Sequence, residues 1–309
     1  MTISVAPLCF SGVDESTAYI AECEASFRHR VIDVAEQLHS IPGLQLIGLS
    51  GPTCAGKTTT ANILDGRLEA LGRRVHTVSV DDFFREQPAN QAKKKTREGG
   101  SIDFDSIDAL DFDLFAACLS ELMQSGHTVL PIYDLSCGKR VGSRELVAEH
   151  GNDVFLVEGI QVVYPEISAL LHQYNYRSIY CDVGNPLRAG DAVFAPEEIR
   201  LMRRLVRDYH FRDADAAFTF YLWESVRANE LKSILPNVVS CDIHLNTLMP
   251  YELGMLRPFL ETILGELPTD SVYWARGQEI LTKLPALTPL SSAQLPSEAL
   301  YREFVPVQK

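Results

Sequence analysis

Residues 51 to 58 read Gly-Pro-Thr-Cys-Ala-Gly-Lys-Thr, two glycines flanking four residues and then a lysine and a threonine. The chemistry that this G-x-x-x-x-G-K-[ST] spacing supports is a grip on a phosphate chain. Glycines let the backbone curl until successive N–H groups point inward, and a helix starting near Lys57 adds the positive end of its dipole. Lys57 would then bridge β- and γ-phosphates, and the Thr58 hydroxyl would ligate Mg²⁺. The candidate nucleotide contacts are Gly51, Thr53, Cys54, Ala55, Gly56, Lys57, Thr58 and Thr59. Cys54 raises the question of oxidative inactivation, against the plainer reading of a small residue filling the turn.

Two acids stand where such a cradle needs them. Asp81, in Ser79-Val80-Asp81-Asp82-Phe83-Phe84, closes an apolar run and is the candidate base for an acceptor hydroxyl and a candidate metal ligand. Capping or turn formation is the other common use of aspartate at such a place. Glu158 closes Val154-Phe155-Leu156-Val157 and is the second candidate Mg²⁺ ligand, the alternative being a solvated strand-end glutamate.

Positioning these groups requires strands that end at one edge. Apolar strands are expected at 44–50, 75–80, 127–133, 153–159, 176–183 and 241–246, and helices at 57–71, 109–123 and about 250–265. Such alternation predicts repeated βαβ units and a mostly parallel sheet covered on both faces, with ligands at the strands' carboxyl ends. Helical spacing over 15–39 predicts a leading helix packed outside the core. The polar stretch 81–105 is too long for an idle connection and reads as a functional loop. Residues 196–233 form a long charged helical excursion that suggests a lid, and the proline-spaced end of the chain suggests surface wrapping. The division expected is a helical extension at 1–43, a P-loop domain at 44–265 with its lid at about 196–235, and a wrapping extension at 266–309.

Composition narrows the function classes. With 28 basic against 41 acidic residues the net charge is −13, which argues against extended nucleic-acid binding and requires any phosphate site to be built locally. The one basic run, Lys93, Lys94, Lys95 and Arg97, reads as a solvated loop. No apolar run is long enough for a membrane span, the first residues do not read as a signal peptide, and the seven scattered cysteines fit a reducing compartment, so a cytoplasmic location is expected. Homo-oligomerisation is left open.

Taken in order, the motifs resemble the uridine kinase and phosphoribulokinase family of P-loop small-molecule kinases. The resemblance rests on GPTCAGKTT, SVDDFF, FDSIDALDFD, Pro131-Ile132-Tyr133-Asp134, and RLMRRLVRD at 200–208, and it covers about residues 44–265. YLWESVRANE and YREF are similar to features of a branch with a C-terminal extension. The resemblance implies an α/β P-loop NTPase three-layer fold, a mostly parallel sheet flanked by helices with a helical lid, and ATP with Mg²⁺ as cofactors. It also implies Asp81 as the catalytic aspartate, Phe84 as its aromatic neighbour, Asp105 as the acid holding the acceptor's sugar hydroxyls, and Tyr133 in the acceptor pocket. Arg204 and Arg207 would close over the transferring phosphate, and Arg140 would contact the acceptor. Where the family follows P-x-Y-D with an aromatic residue and then a base-reading histidine, this chain has Leu135 and Gly138, so the groups that select a pyrimidine are missing.

The expected function is therefore ATP- and Mg²⁺-dependent phosphorylation of a hydroxyl on a small metabolite, a nucleoside or sugar-like compound. The alternative is a nucleotide-binding regulatory protein or degenerate kinase that passes phosphate to no small molecule. The N-K-x-D signature of guanine selectivity is absent from the chain, which argues against a GTPase.

Overall fold

The computed structural model describes residues 3–4, 10, 12–86, 106–135, 137–148 and 151–306. In chain order its main elements are β1 (Ile3–Ser4), α1 (Val13–His39), β2 (Leu46–Ser50), α2 (Lys57–Ala70), β3 (Arg74–Ser79), α3 (Phe112–Ser125), β4 (His127–Asp134) and β5 (Lys139–Val147). They continue with β6 (Asp153–Glu158), α4 (Pro165–Leu171), β7 (Tyr176–Asp182), β8 (Leu187–Ala189), β9 (Ala192–Phe194), α5 (Pro196–Phe211), α6 (Ala216–Asn229), α7 (Leu235–Val238), β10 (Ile243–Asn246), α8 (Glu252–Gly265) and α9 (Trp274–Lys283).

Five strands form one parallel sheet in the order β10-β7-β2-β6-β3. β2 lies in the middle and is buried along its whole length, as a strand covered on both faces must be. Alternation then sorts its side chains: Ile47 and Leu49 join Val154 and Leu156 of β6 in one core cluster, while Leu46 joins Phe155 and Val157 in the other. Helices α1, α2, α5 and α8 cover the first face, and α3 and α4 the second. The result is the expected three-layer α/β arrangement.

Two expectations are corrected. The leading helix is not outside the core: Ile20, Phe27, Val31, Ala35 and Leu38 are at most 1% exposed and belong to the main cluster. Steps of seven, four, four and three residues put these side chains on one face of α1, which packs beside α2. The run at 127–133 is a strand, but not of the parallel sheet. β4 pairs antiparallel with β5, which sequence reading did not identify, and the two form a separate ribbon with an irregularity between Ile132 and Tyr133.

Candidate active site

The phosphate loop leaves β2 at Ser50 and enters α2 at Lys57. A Cβ on Gly51 would collide with the carbonyl oxygen of Cys181, so no larger residue fits there. Gly56, at φ 77°, takes the left-handed conformation that starts the helix. Cys54 also adopts a positive φ, 58°, unusual for a residue with a side chain. Its thiol is shut in at 3% exposure, which favours the filler role over oxidation. We expect Cys54→Ala to keep nucleotide binding within about threefold of wild type, checked by titration calorimetry, since only packing is lost.

Lys57 folds back across the loop, its Nζ donating to the carbonyl oxygens of Gly51 (2.8 Å) and Pro52 (3.2 Å). Thr60 Oγ1 donates to Gly56 O at 2.9 Å, tying the loop to the first turn of α2. Thr58 is exposed at the helix start, and Thr53, Lys57 and Thr59 are half-buried. Curled backbone, ammonium and a hydroxyl at a helix N-terminus suit a triphosphate and its Mg²⁺.

The two acids come to the same edge through strand register. Glu158 is opposite Leu49 of β2 on one side and Ser79 of β3 on the other, and its Oε1 accepts from Ser79 Oγ at 2.6 Å. Asp81 follows two residues later in a 3₁₀ turn, Val80–Phe83, and is half-buried. Its neighbour has a different duty: Asp82 Oδ1 accepts from the Tyr133 N–H at 3.3 Å, and burial pushes its carboxyl up. Asp82 thus fastens the β4–β5 ribbon to the edge and leaves Asp81 as the candidate base. Among the described residues no group of three or more His, Cys, Asp or Glu could hold a metal by itself. Mg²⁺ in such a site rests on one or two carboxylates and the phosphates.

Beside Asp81 the ribbon brings together the other acceptor candidates. The Phe84 and Tyr133 rings meet edge-on at 5.6 Å, and Tyr133 OH donates to Arg85 O at 3.4 Å. Arg140 stands opposite Tyr133 across the ribbon and its Nη2 donates to Asp111 Oδ2 at 2.9 Å. The bond from Arg140 holds the Asp111 carboxyl below its ordinary range. Asp111 also caps α3 through Leu114 N; the FDSIDALDFD match contained it but gave no reason to single it out. Arg140 Nε is buried without a hydrogen-bond partner among the described residues. Asp105 and the basic run at 93–97 lie outside the described residues.

Helix α5 begins at Pro196, with Glu198 accepting from Ala195 N, and its arginines recur at 200, 203, 204 and 207 on one stripe. All four are less than a tenth exposed. Arg204 Nε and Arg207 Nη2 share Asp208, at 3.0 and 2.7 Å. The other two, which sequence reasoning did not single out, reach the phosphate loop from behind. Arg200 Nη1 donates to Thr53 O at 3.3 Å and pairs bidentately with Glu230 at 2.6 and 2.7 Å. Arg203 Nη1 donates to Cys54 O at 3.0 Å, and Glu252 holds its Nε (2.7 Å) and Nη2 (3.0 Å). Burial works against the Arg200 charge, but Glu230 outweighs it and the guanidinium is held above its ordinary range. Glu230 opens a π-helical turn, Glu230–Ile234, after α6, an irregularity often found at functional sites.

A family model described as "Phosphoribulokinase / Uridine kinase family" matches residues 46–251. The chain is 30% identical over 174 residues to a uridine kinase of Schizosaccharomyces pombe, covering 56% of this chain and 33% of that protein. It is 30% identical over 139 residues to uridine-cytidine kinase 2-B of Danio rerio, covering 43% of this chain and 52% of that one. The chain thus spans about half the length of these curated relatives or less. Among solved structures, a possible uridine kinase from Bacillus stearothermophilus aligns over 71% of this chain and 99% of its own at 18% identity, with a TM-score of 0.48.

Proposed function

The chain belongs to the phosphoribulokinase / uridine kinase family, and from that premise we propose that it transfers the γ-phosphoryl group of ATP, with Mg²⁺, to a hydroxyl of a small metabolite, a nucleoside or sugar-like compound. The observation that carries this reading is the strand register that sets Glu158 against Leu49 and Ser79, so that loop, lysine and two acids share one sheet edge. Gly51, Thr53, Cys54, Ala55, Gly56, Lys57, Thr58 and Thr59 would hold the phosphates, and Thr58, Asp81 and Glu158 the metal. When bound, Mg²⁺ neutralises charge on the β- and γ-phosphates.

Asp81 orients the acceptor hydroxyl and takes its proton as the new P–O bond forms. Lys57 and the stripe arginines Arg204 and Arg207 set positive charge where phosphoryl oxygens gain negative charge. Phe84 and Tyr133 give the acceptor an aromatic wall, and Arg140, whose Nε is buried without a partner among the described residues, supplies an N–H for a hydroxyl or anionic substituent. Leu135, 43% exposed in the turn after β4, offers nothing to the polar edge of a base. This supports an acceptor recognised through its hydroxyls.

The test is a screen of labelled ATP against nucleosides, pentose phosphates and pantothenate-like alcohols, with the product identified by mass. Consumption of γ-phosphate that depends on one acceptor supports the proposal. Basal hydrolysis indifferent to every acceptor would favour the regulatory reading. Lys57→Met is expected to lower kcat by about 10²–10³, the usual cost of removing one fixed charge-stabilising donor; activity within tenfold of wild type would exclude Lys57 from that role.

A further inference from the structure

The segment Tyr301-Arg302-Glu303-Phe304 lies far along the chain from the phosphate loop, yet it touches the loop's surroundings at three places. Leu300, just before it, packs so close to Gly56 that a Cβ there would stand 2.9 Å from Leu300 Cδ1. Thr59 Oγ1 donates to Glu303 Oε2 at 3.3 Å. Tyr301 OH accepts from Arg203 Nε at 3.1 Å and donates to Glu252, and the Arg203 guanidinium lies 5.4 Å from the Tyr301 ring centre and 5.2 Å from that of Phe304.

Arg203, Glu252 and Tyr301 are fully buried. Arg203 also donates to Thr247 O at 3.0 Å, the residue after β10. The leading helix joins the same knot: Glu24 accepts from Leu300 N at 3.0 Å and from Tyr251 OH. Charges taken so far from water rarely stabilise more than a packed apolar group would, so their placement calls for another reason. That reason lies at Cys54. Its left-handed backbone is strained and persists only where the surroundings over-determine it. Arg203 holds the carbonyl of the Cys54–Ala55 peptide, and Pro52 O accepts from its N–H at 3.3 Å. Because the peptide is planar, hydrogen bonds at its carbonyl and its N–H together oppose rotation of the whole unit.

We propose that Arg203 and Tyr301 are positioning residues of the nucleotide site, and that the Leu300–Phe304 segment works through them to lock the phosphate loop in its binding shape. This inference rests on the proposed function and concerns residues that would not touch the nucleotide.

The test pairs Arg203→Met with Glu252→Leu in one full-length variant. An ion pair that only fills the core tolerates this exchange, and the nucleotide-free melting temperature should fall little or rise. If the pair positions the loop, the Kd for a non-hydrolysable ATP analogue with Mg²⁺ weakens by about tenfold or more, the equivalent of one charged hydrogen bond. A Kd within twofold of wild type overturns the proposal. If that variant does not fold, Tyr301→Phe decides: it removes one hydroxyl, the expected Kd is about threefold weaker, and an unchanged Kd overturns the proposal. Wild-type protein that binds no analogue at all would overturn the kinase reading, and this inference with it.

Discussion

Asp81→Asn is expected to leave the affinity for ATP measured without Mg²⁺ within about twofold of wild type while cutting Mg²⁺-dependent phosphoryl transfer by about 10²–10⁴. The amide keeps the shape of the carboxyl but cannot accept a proton from the acceptor. The half-buried turn that carries the residue is also held by the neighbouring Asp82–Tyr133 bond, and the melting temperature of the variant checks that the edge is intact. Single-turnover transfer alongside calorimetric binding separates the two effects. Transfer at more than a tenth of the wild-type rate would remove Asp81 from the role of base.

The second large effect is on stability. Glu230→Ala takes the bidentate partner from the Arg200 guanidinium, 3% exposed behind the phosphate loop, and leaves it Asp182 at 3.4 Å as its remaining carboxylate; removing one member of a buried pair costs about 3–5 kcal/mol, and Asp182 sets the expectation at the lower end, about 3 kcal/mol. For a chain of this size that corresponds to a fall of roughly 5 °C in melting temperature. Arg227 Nη1, 2.8 Å from Glu230 Oε2, loses the same partner. The pH dependence has a definite sign. Burial pushes the Glu230 carboxyl up, but its bonds from Arg200 and Arg227 outweigh this and leave its pKa lowered. The contribution is therefore fully present above the ordinary glutamate range and is lost as the pH falls through the lowered value. A variant that melts within 2–3 °C of wild type at neutral pH, or a wild type that loses this increment on raising the pH, would contradict the assignment.

Much of this was legible in the sequence because physics marks it there. The run at 46–50 is apolar without alternation, as a strand covered on both faces must be, and the glycine spacing before Lys57 has few other uses. The family resemblance rested on motif order and was met by a match over residues 46–251. What was missed had weaker marks. β5, Lys-Arg-Val-Gly-Ser-Arg-Glu-Leu-Val, is exposed along most of its length, so it lacks the apolar pattern of a strand and exists by pairing with β4. In β4 Thr128, Leu130 and Tyr133 are buried while His127, Val129 and Ile132 are exposed, so a polar residue faces in and two apolar ones face out, and the one-sidedness of this antiparallel strand does not show in its residue types. Arg200 and Arg203 could not be told from solvated arginines, because their partners Glu230 and Glu252 are 30 and 49 residues away and only the fold makes them neighbours.

The bond between Thr59 and Glu303 spans 244 residues, and this separation bears on how the protein is made. At a synthesis rate of about 5–20 residues per second, the turn after β2 is synthesised roughly 12–50 s before the segment that contacts it. Through that interval the nascent chain carries the glycine turn without the Tyr301 hydroxyl against Arg203, so the completed arrangement arises only late in translation.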